Sequence, residues 1–144
     1  MQHALTALIF VAFAGSAWAQ ASPVGLWRSA DDKTGEAKAE IRITEADGVL
    51  SGRIERSLKK GVLPDAVCEQ CTDDRKGQPI AGLEIIRGLR KAEGRDAWEG
   101  GRILDPENGK EYRASLAPID GGRQLQVRGH LGPFWRTQTW SRAN

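Results

Sequence analysis

Residues 40–55, EIRITEADGVLSGRIE, decide the fold. In Glu40–Glu45 the apolar Ile41 and Ile43 alternate with charged or polar neighbours, and Leu50, Gly52 and Ile54 do the same in Val49–Glu55. A period of two sends successive side chains to opposite faces of an extended strand, so each run has one face for a core and one for water. Between the runs stands Asp47-Gly48. That pair suits a two-residue hairpin loop, because both central residues of such a turn take positive φ. The stretch therefore reads as one complete antiparallel hairpin with a polar outer face.

Outward from this hairpin the pattern repeats. Tyr112, Ala114 and Leu116 align in EYRASLA, and Leu125, Val127 and Gly129 align in RQLQVRG. Glu93-Gly94, Asn108-Gly109 and Asp120-Gly121-Gly122 punctuate the runs as turns. Strands are expected to begin near Val24, Glu40, Val49, Leu83, Ala97, Glu111, Arg123 and Phe134, about eight in all. Connections are short except Ser57 to Gly82, where RSLKKGVLPDAVCEQC has room for one short helix limited by Pro64. A sheet of this size removes its edges by closing on itself. The fold class is therefore all-β, an antiparallel up-and-down barrel of about eight strands, with an open sandwich as the alternative.

Ahead of the strands, Ala4–Ala14 is uncharged and mostly apolar, and small residues lead to Ala17-Trp18-Ala19. This is the layout of a secretory signal peptide over residues 1–19, although no Lys or Arg precedes the run. The run is too short for a membrane span, which needs roughly 20 apolar residues. Residues 20–144 then form a single domain, long enough to bury a core, in the periplasm or outside the cell. The chain has 21 basic and 19 acidic residues, interleaved without a basic block, which argues against a nucleic-acid partner. Nothing after the leader is apolar enough to span a membrane.

Gly25-Leu26-Trp27 opens the first strand, and Trp140-Ser141-Arg142 closes the last. A small residue before a buried Trp lets the ring cover one end of a barrel, and an Arg can lie across its face. Gly25, Trp27, Trp140 and Arg142 thus read as barrel closure, an arrangement that resembles the lipocalin and calycin barrels. Further segments, CEQC, KGQPIAGLEIIRGL, WEGGRILDPENGKEY, LQVRGHLG and TQTWSR in this order, resemble an uncharacterised family of small exported bacterial proteins. That family is a domain of unknown function with a lipocalin-like fold, and the resemblance runs from about Val24 to Arg142. It implies an envelope location and a calycin-type barrel, and it implies no reaction, cofactor or catalytic residue.

No nucleophile elbow, metalloprotease helix motif or phosphate-cradling loop occurs. Asp105, Pro106, Asn108 and Gly109 read as a hairpin turn, with Pro106 ending a strand and Asn108-Gly109 supplying positive φ. The functional alternatives are Asp105 as a general acid or base, or a calcium site with Glu107; calcium wants about six to eight oxygens, and this loop offers too few. His130, the only histidine after the leader, lies between Gly129 and Gly132 in what reads as an exposed turn. Arg87, Arg102, Arg113 and Arg128 interrupt or flank the apolar alternation. If Arg87, Arg102 and Arg128 point inward beside Trp98 and Tyr112, they form a site for an amphipathic ligand with an acidic head group. The alternative is that these arginines face water.

Cys68 and Cys71 are the only cysteines and stand among Asp65, Glu69, Asp73 and Asp74. The acids disfavour a thiolate, which weakens a redox centre. A closed zinc site needs four ligands, and only His130 and carboxylates remain. Export favours a disulfide. Its loop is so short that the gain is only about 2 kcal/mol, enough to fix the long connection but not to hold the barrel. The expected function is non-enzymatic: a small exported barrel binding an apolar or amphipathic molecule, without a cofactor. Two alternatives are a filled barrel that serves a structural or partner-binding role, and an enzyme using His130 or Asp105.

Overall fold

Asp47 and Gly48 both adopt positive φ (52° and 77°), as the two-residue loop requires, and join β2 (Ala37–Ala46) to β3 (Val49–Ser57). The structure, a computed structural model, describes residues 21–143; the signal-peptide reading of residues 1–19 lies outside the described residues. The remaining strands are β1 (Gly25–Ala30), β4 (Glu84–Lys91), β5 (Trp98–Asp105), β6 (Lys110–Ile119), β7 (Gln124–Leu131) and β8 (Phe134–Arg142). They form one closed barrel in chain order. β1 pairs back to β8 through Trp27–Arg142 and Arg28–Ser141, so no sheet edge is left open. The barrel thus displaces the open sandwich. Strand starts agree with the sequence reading within a residue, except that β2 begins earlier, at Ala37.

The period-two residues point where the alternation requires. Ile41, Ile43, Leu50, Ile54, Leu116, Leu125 and Val127 are all buried in the barrel. Gly52 faces Ile86 so closely that a Cβ would lie 2.9 Å from its Cδ1, which is why the inward run of β3 is broken by a glycine. The end formed by the β2–β3, β4–β5 and β6–β7 loops is filled: Trp27, Leu50, Ile86, Leu89, Leu116 and Leu125 are fully buried there. Arg142 closes it. Its guanidinium lies 4.1 Å from the Trp27 ring centroid and donates to the carbonyls of Gly122 (2.8 Å), Val24 (3.0 Å) and Ser22 (3.0 Å). Trp27 Nε1 donates to Pro23 O at 2.8 Å. At Gly25 a Cβ would stand 2.6 Å from Arg142 Nη1, so glycine is what admits the guanidinium.

Two local expectations are corrected. His130 lies within β7, not in a turn, because Leu131 pairs with Phe134 and confines the loop to Gly132-Pro133. The long connection between β3 and β4 holds no helix; among the described residues the only helical turn is the 3-10 turn Asp120–Gly122. Its acidic run instead folds back on itself through Cys68 N to Gln78 O and Ile80 N to Ala66 O.

Candidate functional site

The other end of the barrel is a mouth, framed by the β1–β2 loop, the long connection, the β5–β6 turn and the β7–β8 hairpin. Beneath it lies a cavity of about 280 Å³ with residues from all eight strands in its lining. Its apolar walls include Ile41, Ile54, Ile85, Ile103, Val127 and Trp140. Polar and charged side chains gather at the rim: Lys38, Lys59, Asp105, Glu107, Arg136 and Gln138. An adjoining hollow between residues 31–38 and 58–60 is larger, about 460 Å³, but its lining is mostly charged and only partly buried. The smaller, apolar cavity is the better candidate site, because ligand pockets are predominantly apolar with a few placed polar groups.

Glu107 ties the rim together. Its carboxylate accepts from Lys38 Nζ at 3.2 Å and from Lys59 Nζ, joining β2, the long connection and the β5–β6 turn. The Lys59 bond, and then Lys38, hold the Glu107 carboxyl below its ordinary range, and Glu107 in turn raises Lys59. On the opposite side Arg136 Nε pairs with Asp32 at 2.8 Å, tying β8 to the β1–β2 loop. Tyr112 lines the cavity beside Gly129, where a Cβ would come within 3.2 Å of the Tyr112 Cβ. Asn108 Nδ2 donates to its hydroxyl at 3.2 Å.

The long connection docks on the β5–β6 turn. Cys68 and Cys71 are joined in a disulfide and both are buried. The carbonyl of Gln70, between them, sits so close to Gly109 that a Cβ there would lie 1.9 Å away. Asp105 Oδ1 accepts from Glu107 N at 2.9 Å, and Asn108 Oδ1 accepts from Lys110 N at 2.8 Å; both side chains thus shape the turn. Arg75, only 1 % exposed, completes the dock: Nη2 meets Glu111 Oε1 at 2.9 Å and Asp73, and Nη1 donates to Glu84 O at 3.0 Å. Arg75 drives the Asp73 carboxyl far below its ordinary value. Among the described residues no group of three or more His, Cys, Asp or Glu side chains is placed to hold a metal ion.

Of the five residues singled out for ligand contact, the structure brings Tyr112 alone to the cavity. Arg87, Arg102 and Arg113 stand opposite one another across β4, β5 and β6, one step out of phase with the inward pair Ile86–Ile103. They therefore face outward. The adjacent apolar residues Ile85 and Ile86 left that register ambiguous in the sequence; pairing with Gly52 and Ile103 resolves it. Arg87 is clamped by Asp74 (2.9 Å) and Glu84, which raise its pKa, and Arg87 in turn lowers that of Asp74. Trp98 is buried toward the filled end with Lys91 Nζ 5.5 Å from its ring centroid. Arg128 also faces outward and donates to Thr137 Oγ1 at 3.1 Å. The rim residues Lys38, Lys59, Glu107 and Arg136, and the buried Arg75, were not legible, since their partners are distant or their loop reads as solvated.

Residues 25–142 match the model of a family described as uncharacterized proteins conserved in bacteria, DUF2147. The chain belongs to this family. No curated protein matches the sequence. Among solved structures it is similar to protein HP1028 from Helicobacter pylori, described as belonging to the lipocalin family, with a TM-score of 0.72. The two share 16 % identity over 86 % of this chain and 84 % of the other. At that identity the likeness speaks for the fold, and the family member described here shares the lipocalin-like barrel.

Proposed function

We propose that the protein is an exported, non-enzymatic binder that holds one small apolar or amphipathic molecule in its mouth cavity. The observation that carries this reading is a barrel filled at one end and hollow at the other, with an apolar wall below and a charged rim above. At about 280 Å³ the cavity sits near the lower edge of the range for ligand pockets, roughly 300–1,000 Å³, and suits a short ligand. The rim cations Lys38, Lys59 and Arg136 are matched by Asp105, Glu107 and Asp32, the partner of Arg136, so the rim is neutral and favours an uncharged polar head over a carboxylate or an amine. Export is supported by the signal-like leader and by a disulfide on the connection beside the mouth.

The test is native mass spectrometry of protein recovered from its own compartment, followed by titration with decanoate, decanol and decylamine while Trp140 emission is followed. A retained mass and a response strongest for decanol are expected, with Ile54→Trp filling the cavity and abolishing both. A folded protein that carries no ligand and responds to none of the three sinks the reading.

A further inference from the structure

A second surface lies outside the cavity, on the β7–β8 hairpin and the sheet beside it. Leu131, Phe134 and Trp135 are 44 %, 77 % and 68 % exposed. Leu131 and Phe134 pair with each other and belong to the inward-facing phase of their strands, beyond the rim; Trp135 belongs to the outward phase. The hairpin is therefore apolar on both faces where it projects from the barrel. Behind Trp135 runs a cationic row. The register Arg102–Arg113–His130–Trp135 places the four side chains on one outer face across β5 to β8, spanning about 14 Å at the usual strand spacing. Arg128 flanks it. Among the described residues no carboxylate lies within ion-pair distance of Arg102, Arg113 or Arg128, whereas Arg87 at the end of the row is neutralised by Asp74 and Glu84.

We infer that this hairpin and arginine row dock the protein onto an anionic lipid surface. Three features select a bilayer over a flat protein partner. An element apolar on both faces is covered fully only by a medium that surrounds it. Trp is favoured at the lipid–water boundary, where its ring is apolar and its N–H remains hydrated. Unpaired guanidinium groups beside it match lipid phosphates, which they grip through two parallel hydrogen bonds. The aromatics would enter the head-group layer and the arginines would lie along it, holding the mouth beside the bilayer. This docking does not depend on whether the cavity holds a ligand.

The experiment is flotation of the purified protein with vesicles of phosphatidylcholine alone, and of equal parts phosphatidylcholine and phosphatidylglycerol, at low and high salt. Salt-sensitive binding to the anionic vesicles is expected, with a blue shift of Trp emission that Trp135→Phe removes. Phe134→Ser with Trp135→Ser, and separately Arg102→Gln with Arg113→Gln, should each weaken partitioning about tenfold or more. These positions are exposed, so unchanged circular dichroism and thermal midpoint will show that the barrel is intact. No binding to anionic vesicles at low salt overturns the inference, as does unaltered binding of the Ser pair. Concentration-dependent dimerisation abolished by the Ser pair would also overturn it, assigning the hairpin to a second copy.

Discussion

Substituting Gly109 by alanine tests whether the disulfide loop is seated on the β5–β6 turn. Gly109 has φ +74°, a conformation that costs an L-residue about 1–2 kcal/mol. The added Cβ also lands 1.9 Å from Gln70 O, where real Cβ contacts stay beyond 3.0 Å, so turn and loop must part by about 1.1 Å. Overpacking of this kind costs about 1–3 kcal/mol. The total for Gly109→Ala is about 2–5 kcal/mol. Gly94→Ala is the matched control: its φ is +69°, yet nothing lies within 4 Å of its Cβ, so only the backbone cost of about 1–2 kcal/mol applies. Urea unfolding should separate the variants by about 1–3 kcal/mol, or about 4 °C in Tm for each kcal/mol. Hydrogen exchange should localise the difference to residues 68–80, where Cys68 N and Ile80 N lose their bonds to Gln78 O and Ala66 O. Equal losses in both variants, with exchange in the connection unchanged, would refute the docked loop.

Arg142→Lys keeps the charge at the closed end but cannot reach the three carbonyls that Arg142 joins. Hydrogen bonds from charged donors are worth about 1.5–3 kcal/mol each, so a loss of about 2–4 kcal/mol and a weakened near-ultraviolet dichroism band from Trp27 are expected; a change within the scatter of surface substitutions, about 0.5 kcal/mol, would remove Arg142 from the closure. At the mouth, Glu107 has a depressed pKa, so its clamp is fully present above the ordinary glutamate value of 4.5 and is lost as pH falls through the lower folded value. Exposed ion pairs contribute only about 0.2–1 kcal/mol each. Measured against the intrinsic exchange rate at each pH, amide protection over residues 58–63 should fall below pH 4.5, and Glu107→Gln should already lack it at pH 6; identical protection profiles for the two proteins would exclude the clamp.

The barrel was legible because its information is local. Alternation in EIRITE and VLSGRIE, the Asp47-Gly48 loop and the turn glycines each act within a few residues, and together they determine strand positions and inward faces. The Gly25–Trp27 and Trp140–Arg142 pairs were legible at the two chain ends, because in an up-and-down barrel the first strand must meet the last. The site was less so. Where two apolar residues adjoin, as at Ile85-Ile86, periodicity leaves the face of Arg87 undetermined, and only pairing with β3 and β5 settles it.

Reading along the chain gave an all-β fold, with a closed barrel preferred to an open sandwich and a Cys68–Cys71 staple preferred to a redox or zinc pair. Tertiary structure alone decided that the closed end is filled and the mouth hollow, that Glu107 gathers Lys38 and Lys59, and that Arg75 is buried under the connection. The physical reason is range. Strand phase follows from neighbours in the chain, but cavity volume and ion pairs depend on residues dozens of positions apart, which meet only once the sheet has curled shut.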